Sequence, residues 1–251
     1  MNNSKFQIIV ADPPWDFSDS LSMSNVARGA KANYNTMSIG DIKALSISEI
    51  SDPDGALLAL WVPSSLLQEG LDTLKAWGFT HKQTYIWVKT KKESLKSLLP
   101  PLLENVITTE RSIQNRPGIF NSNKFKVKTW KEYFINSFKG FALTNLLSFG
   151  MGRLFRQTHE ICLIGTNNNK IYKLLENKSQ RSVSFGENLK HSAKPEHLQD
   201  SLEIMFPKAK KIELFARRLR KDWVCLGNEI CVDENNNPED IRDSLKKLYS
   251  L

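Results

Sequence analysis

The stretch FQIIVADPPW, residues 6–15, is the part of the sequence that most clearly indicates the fold. Its first six residues form a nearly continuous apolar run, which is typical of a strand buried on both faces of a sheet. Two prolines follow Asp12 and end the strand, because a proline nitrogen has no hydrogen to donate to a neighbouring strand. Similar runs recur along the chain at ALLALWV (56–62), THKQTYIWVK (80–89), HEICLIG (159–165), KKIELFA (210–216) and WVCLG (223–227).

Segments with helical spacing lie between these apolar runs. SSLLQEGLDTLKAWGF (64–79) predicts a helix that stops near Gly78, and PEHLQDSLEIMF (195–206) predicts a helix with proline in its first turn. Ser38 predicts the N-cap of a short helix, and another short helix is predicted at the end of the chain. Strands alternating with helices predict an α/β fold with a mainly parallel central sheet and helices on both faces.

The composition excludes several classes of protein. The 251 residues are 40% hydrophobic and 25% charged, with 12 Gly and 10 Pro, which excludes collagen-like, coiled-coil and disordered chains. The longest apolar run, 55–63, is shorter than the roughly 20 residues of a membrane span, and no signal peptide is recognisable. Three cysteines without a CxxC motif or a His/Cys cluster predict neither a metal site nor a disulfide framework. We expect a soluble cytoplasmic protein without membrane partners.

The positive charge is concentrated in one block. The net charge is +8, and residues 82–131 alone carry eleven basic and three acidic side chains. Such a block is typical either of a solvated face or of a phosphate-binding surface. Four of its lysines are interleaved with aromatic residues, which favours nucleic-acid binding: Lys124, Lys126, Lys128 and Lys131. A second basic run is predicted to extend the same surface: Lys208, Lys210, Lys211, Arg217, Arg218, Arg220 and Lys221.

Asp12-Pro13-Pro14-Trp15 lies just beyond the carboxyl end of a predicted strand, where α/β sheets carry their functional residues. The simplest structural interpretation is a proline turn with Trp15 in the core. The chemical interpretation is methylation of an exocyclic amine on a planar base, a poor nucleophile because its lone pair is delocalised. The Asp12 carboxylate and the Pro13 carbonyl can each accept one N–H, while the prolines fix the geometry and an aromatic ring stacks on the base. All four residues are therefore catalytic candidates.

Eight blocks of the sequence carry a resemblance to a known family: ADPPWDF (11–17), YNTMS (34–38), LWVPSSLLQEGLDTLKAWGF (60–79), YIWVKT (85–90), HEICLIG (159–165), SAKPEHL (192–198), KIELFAR (211–217) and GNE (227–229). In these blocks and their order the chain resembles the adenine-N6 methyltransferases of the DPPW type, the MT-A70 family. Residues 91–150 depart from the family pattern, because the segment is longer than the crossing found there in other members. We expect a single methyltransferase domain over 1–251, with 91–150 a basic and aromatic insertion used for target recognition or a dimer contact.

The resemblance implies a Rossmann-like methyltransferase fold with permuted motif order and S-adenosylmethionine as the methyl donor. It implies that Asp12 and Pro13 grip the target N6, and that Trp15 and Tyr34 line the base pocket. Lys194 would hold the carboxylate of the donor. The other residues expected at the donor site, together with Asp12, are Glu213, Phe215, Arg217, Asn228 and Glu229. Arg218-Leu219 departs from the small polar residue or histidine that family members often carry after the arginine.

The sequence leaves three functions open. Methylation of adenine N6 in DNA is favoured over RNA, because no RNA-binding module is recognisable beside the methyltransferase blocks. The same site acting on RNA is the alternative. A catalytically inactive, nucleic-acid-binding partner subunit is disfavoured, because such members of the family typically lose the acid or the aromatic residue of the DPPW motif. A homodimer and a location in the cytosol of a bacterium or a phage-infected host are further expectations.

Overall fold

A computed structural model describes residues 5–16, 36–92, 147–148, 150, 154–188, 193–232 and 237–249. The chain divides into two compact units. The first consists of Met1–Trp87, His159–Ser184 and His191–Leu251, and the second of Val88–Thr158 and Phe185–Lys190. The strands are β1 (Ile8–Ala11), β2 (Leu57–Val62), β3 (Thr80–Thr90), β4 (His159–Thr166), β5 (Val183–Glu187), β6 (Lys211–Leu214) and β7 (Trp223–Leu226). The helices are α1 (Ile39–Lys43), α2 (Leu67–Ala76), α3 (His197–Met205) and α4 (Ile241–Tyr249).

The strands form a seven-stranded sheet in the order β5-β3-β4-β2-β1-β6-β7. Strand β1 is parallel to both β2 and β6, and β6 is parallel to β7, whereas β2 and β4 are antiparallel. The predicted α/β fold with a mainly parallel central sheet is confirmed. In register, Ala11 lies opposite Leu60 and Leu214, and Leu214 lies opposite Leu226. Residues that follow these parallel strands therefore meet at one end of the sheet, beyond the carboxyl ends of the strands.

Both faces of the central strands are buried, which explains their continuous apolar sequence. Residues Ile9 and Leu58 belong to one hydrophobic cluster, and their neighbours Ile8 and Leu57 belong to the other. This alternation follows from the pleat of the strand, which sends successive side chains to opposite faces. The sheet therefore has a hydrophobic core on each side.

Local signals in the sequence account for the helix boundaries. The Ser38 hydroxyl accepts a hydrogen bond from the Asp41 backbone N–H at 3.0 Å and caps α1, as predicted. After α2 the chain turns at Gly78, whose φ of 87° suits a residue without a Cβ. The predicted helix near 195–206 is α3, and the predicted terminal helix is α4. Helix α3 begins at His197 with Glu196 as its N-cap, so Pro195 precedes the helix and does not lie in its first turn as predicted.

Two further elements lie between β4 and α3, in a polar stretch for which the sequence predicted neither a helix nor a strand. A 3-10 helix spans Asn169–Leu174, and β5 spans Val183–Glu187. Three of the five residues of β5 are exposed, because the strand lies at the edge of the sheet. An exposed edge strand does not need the apolar run that marks the central strands.

The described part of the second unit is held by backbone hydrogen bonds. The Lys89 N–H donates to the Thr158 carbonyl at 2.8 Å, and the Lys89 carbonyl accepts from the Ser148 N–H at 2.9 Å. Most of 91–150 lies outside the described residues, so its expected roles stay predictions. Among the helices that are described, none is long and apolar enough to cross a membrane.

Candidate active site

The DPPW tetrapeptide is held in place by its own backbone and by Met37. The Pro13 carbonyl accepts the Trp15 N–H at 2.9 Å, and the Pro14 carbonyl accepts the Met37 N–H at 2.9 Å. The Trp15 indole N–H donates to the Trp61 carbonyl at 2.9 Å, and the side chain is only 3% exposed. In this structure Trp15 anchors the tetrapeptide to β2, while its stacking on a base stays a prediction. One lone pair of the Pro13 carbonyl remains for another donor, because a carbonyl oxygen has two.

Lys194 is the centre of the candidate active site. Its ammonium lies 3.0 Å and 2.8 Å from the two carboxylate oxygens of Asp12, and 3.1 Å from the Glu160 Oε2. It also lies 5.5 Å from the centre of the Trp61 ring, within reach of a cation–π contact. The structure therefore brings together Asp12 and Lys194, which are 182 positions apart in the chain. Sequence analysis did not predict Glu160.

Opposite charges dominate the electrostatics around Lys194. Burial by itself lowers the pKa of the Lys194 ammonium, but the carboxylates of Asp12 and Glu160 outweigh this effect, so the pKa is raised. The ammonium is therefore charged throughout the neutral range. With both carboxylates ionised, one cation facing two anions leaves a net charge of about −1. The Cys162 thiol is buried nearby, and burial raises its pKa well above the ordinary range, so it is not a thiolate nucleophile.

A second buried polar pair lies on the neighbouring elements β6 and α3. The Gln199 side-chain amide donates to the Glu213 Oε1 at 3.2 Å. Burial raises the pKa of the Glu213 carboxyl, although the hydrogen bond from Gln199 partly opposes the shift. Gln199 is 4% exposed, and its Oε1 is buried without a hydrogen-bond partner in the part of the chain that the structure describes. A buried acceptor without a donor is costly, so this atom favours a ligand that carries a hydroxyl or amine group.

The predicted donor-site residues after β6 and β7 also lie beyond the carboxyl ends of the parallel strands. The Arg217 Nε and the Glu229 Oε1 are 3.3 Å apart, which brings two of the predicted residues together. Phe215, directly after β6, is half-buried against the core and has a positive φ of 61°. Asn228 is exposed. Gly227 precedes it because no side chain fits there: a Cβ would lie 2.1 Å from the Ala216 carbonyl oxygen.

Part of the second basic run does not form the free positive surface that the sequence predicted. The prediction is wrong for Arg218 and Arg220, which form ion pairs with carboxylates on or just before α3. It is wrong also for Lys211, which is 6% exposed and donates to the Ala209 carbonyl at 2.8 Å. Lys208 is 85% exposed and pairs with Glu176 at 2.9 Å, so it remains on the surface. The number of basic residues in the sequence does not show which acidic side chains or carbonyls these residues contact in the fold.

The remaining predicted residues lie outside the described part of the chain. They are Tyr34 of the expected base pocket and the lysines of the expected nucleic-acid surface, Lys124, Lys126, Lys128 and Lys131. Within the described ranges, no group of three or more His, Cys, Asp or Glu side chains is arranged to hold a metal ion.

The chain is similar to known proteins of one family. A model of the MT-A70 family matches residues 6–101 and 107–229, and so includes most of 91–150, which sequence analysis treated as a departure from the family. The chain is 27% identical over 228 residues to the N(6)-adenosine-methyltransferase MT-A70-like protein of Drosophila melanogaster, covering 90% of this chain and 27% of that protein. It is 25% identical over 228 residues to the human N(6)-adenosine-methyltransferase catalytic subunit METTL3, covering 90% of this chain and 28% of that protein.

A shorter match, 34% identical over 92 residues, joins 36% of this chain to 11% of the Arabidopsis thaliana N6-adenosine-methyltransferase non-catalytic subunit MTB. The chain spans about a quarter of the length of the curated relatives that it matches over most of its own. The family match runs from the strand before Asp12 to Glu229. It contains Lys194, Asp12 and Glu160, which we call the Lys194 cluster. On this evidence the chain belongs to the MT-A70 family.

Proposed function

We propose that this chain transfers a methyl group from S-adenosylmethionine to the N6 amine of adenosine in RNA. The observation that carries the proposal is the Asp12 carboxylate at the carboxyl end of β1, held through both of its oxygens by Lys194. A two-point contact fixes the plane of a carboxylate, and a fixed acceptor is what orienting an amine requires.

The side chains around Asp12 fit S-adenosylmethionine. The net negative charge of the Lys194 cluster complements the positive charge of a sulfonium and of an α-ammonium group. The unpartnered Oε1 of Gln199, next to Glu213, can accept a hydrogen bond from a ribose hydroxyl. Lys194 would bind the carboxylate of the donor by exchanging one of its present contacts, because Asp12 and Glu160 engage its three N–H donors in this structure. The residues expected around the adenosine of the donor are Phe215, Arg217, Asn228 and Glu229.

The chain's own groups account for the chemistry on the amine. S-adenosylmethionine, when bound, supplies the electrophilic methyl group. Asp12 accepts one N–H of the target amine and the free lone pair of the Pro13 carbonyl accepts the other, which directs the nitrogen lone pair away from the base. Pro13 and Pro14 keep these acceptors in place, because each ring fixes a backbone φ angle. No buried general base is needed, since water can take the proton once the nitrogen is cationic.

RNA is proposed over DNA because the relatives are named for adenosine, the ribonucleoside. The expectation of DNA relied on the lack of a recognisable RNA-binding module. This chain spans only about a quarter of its relatives' length, so that lack does not favour DNA over RNA. The inactive-subunit function is supported only by the shorter match to the non-catalytic subunit. A homodimer and a cytosolic location stay predictions.

A methylation assay with matched oligonucleotides tests the proposal. The chain is incubated with labelled S-adenosylmethionine and with RNA or DNA of the same sequence, and the nucleosides are then separated by mass spectrometry. We expect N6-methyladenosine from RNA. Methyl transfer only to DNA would contradict the RNA proposal and identify DNA as the substrate. Absence of both transfer and donor binding would support the inactive subunit.

The Asp12→Ala variant ties the activity to the site. It should lose at least about 100-fold in rate, because the orienting acceptor is removed, while its thermal unfolding curve stays cooperative. Asp54→Ala is the matched control, since Asp54 is also a carboxylate paired with a lysine, Lys170, but lies 81% exposed. Near-normal transfer by Asp12→Ala would contradict the assigned role.

A further inference from the structure

Arg220 is bound by three carboxylates of one helical face. Its Nη1 lies 2.7 Å from Glu196, its Nη2 lies 2.6 Å from Asp200, and its Nε lies 2.7 Å from Glu203. The three acids have the spacing i, i+4 and i+7, which places them in a row along α3 and the residue before it. The Trp223 indole N–H also donates to Glu203, at 2.7 Å. Every nitrogen of the guanidinium group therefore has a carboxylate partner, and the side chain is only 13% exposed.

Arg218 extends this arrangement to the backbone of Lys194. Its Nε pairs with the Glu196 Oε1 at 2.5 Å, while Arg220 uses the other oxygen of the same carboxylate. Its Nη2 donates to the Lys194 carbonyl at 3.2 Å. We call Arg218, Arg220 and their three acidic partners the arginine clasp. The clasp joins the loop after β6 to the segment that carries Lys194.

The position of the arginine clasp has a consequence for the donor site. Arg217, whose side chain pairs with Glu229, directly precedes Arg218 in the loop, and Lys194 lies two residues before Glu196. Both segments contribute residues to the proposed donor site. They come from different parts of the sequence, so some contact must set the distance between them. On the described part of the chain the clasp is one such contact, beside the Gln199–Glu213 hydrogen bond between α3 and β6, and it includes neither Asp12 nor Glu160.

We propose that Arg218 and Arg220 are positioning residues that fix Lys194 relative to the Arg217 loop and so set the affinity for the methyl donor. The inference rests on the proposed function and deepens it, because it assigns donor affinity to residues that do not themselves contact the donor. The clasp contains neither Asp12 nor Pro13, the residues assigned to the target amine, so the methyl-transfer step at saturating donor should be unaffected. Its loss should appear in the KM for the donor and leave kcat unchanged.

The test compares Arg218→Gln with Arg218→Lys and Arg181→Gln. Arg218→Gln removes the bond to the Lys194 carbonyl and the pair with Glu196, whereas Arg218→Lys keeps the charge. Arg181→Gln is the matched control, because the exposed Arg181 also donates to a backbone carbonyl, that of Ser179, at 2.7 Å. The affinity for S-adenosylmethionine is measured by calorimetry, and KM and kcat are measured on RNA.

We expect Arg218→Gln to bind the donor about three- to tenfold more weakly with kcat unchanged, because small misplacements of a binding group reduce productive contacts. Arg218→Lys should recover part of the affinity, and Arg181→Gln should bind like the wild type. Arg218 is 49% exposed, so added salt should weaken donor binding by the wild type more than by Arg218→Gln.

Two results overturn the inference, and they differ from failure of the proposed function. If the wild type binds the donor and Arg218→Gln binds it equally well, the clasp has only a structural role. If Arg218→Gln lowers the thermal midpoint and kcat together without changing the KM for the donor, the same conclusion holds. If the wild type binds no donor, the proposed function fails and the inference fails with it.

Discussion

Replacing Lys194 with methionine tests the charge arrangement at the site directly. Methionine keeps most of the volume of the side chain but removes the ammonium that separates Asp12 from Glu160. Two oxygens that each lie within 3.1 Å of one nitrogen are at most about 6 Å apart. The substitution therefore leaves two carboxylates facing each other without a cation between them.

The size of the effect follows from distance and exposure. Two unit charges about 6 Å apart repel by about 3 kcal/mol at an effective dielectric constant of about 20, and by about 0.7 kcal/mol in water. The side chains of Asp12 and Glu160 are 24% and 26% exposed, which places the repulsion at about 1–2 kcal/mol. With the lost attraction to Lys194 included, we expect Lys194→Met to lower the free energy of unfolding by about 2–3 kcal/mol, less than the 3–5 kcal/mol of a fully buried pair.

Thermal unfolding without ligand measures this loss, which corresponds to a fall in Tm of about 5–10 °C for a chain of this size. Adding Glu160→Gln to Lys194→Met should restore about 1–2 kcal/mol, because only one carboxylate then remains charged. The control is Lys170→Met, whose ion pair with Asp54 is exposed and screened by solvent, so its loss should leave the thermal midpoint close to that of the wild type. If the double variant is no more stable than Lys194→Met alone, the two carboxylates do not share the ammonium and the reasoning is refuted.

Three further predictions concern a close approach, a buried acid and the basic segment. Gly227→Ala should destabilise the chain by more than about 3 kcal/mol because its Cβ would meet the Ala216 carbonyl, whereas Gly78→Ala, with open space at a φ of 87°, should cost about 1–2 kcal/mol in the same urea titration. The Glu213 carboxyl has a pKa raised by burial, so its stabilising effect is present at acidic pH and is lost as the pH rises through the folded-state pKa. Glu213→Gln should therefore gain in stability over the wild type on going from acidic to neutral pH, and an equal difference at both pH values would contradict this. Replacing Lys124, Lys126 and Lys128 together with glutamine should weaken RNA binding and flatten its salt dependence. An unchanged salt dependence would indicate that this segment is only solvated.

The sequence predicted most of the central sheet but not all of the site. The strands around Asp12 were predictable because burial on both faces demands apolar residues without interruption. Glu160 was missed for a reason of topology: β4 runs antiparallel to β2, with Ile161 opposite Val62. Its amino-terminal end therefore lies where β2 finishes, and a search beyond the carboxyl ends of strands passes over it.

The charged residues after β6 show a second limit of sequence reasoning. Arg218 and Arg220 were predicted to extend a positive, nucleic-acid-binding surface, because a run of basic residues carries no information about its acidic partners. The pattern that could have revealed them is the acidic row along α3 and the residue before it, Glu196, Asp200 and Glu203, since acids at this spacing lie on one helical face. For Trp15 the sequence offered two interpretations, packing in the core and lining the base pocket, and the structure shows a buried side chain that donates to the Trp61 carbonyl.

The terminal helix α4 lies beyond Glu229, where the match to the family model stops. Its Ile241 and Leu245 belong to the same hydrophobic cluster as Ile42, and the Tyr249 hydroxyl donates to the Ser46 carbonyl at 2.9 Å. Trimming the protein to the matched region would thus expose an apolar patch beside α1 and promote self-association. Catalytic work with this chain should keep the tail, since insolubility caused by trimming could be mistaken for a lack of activity.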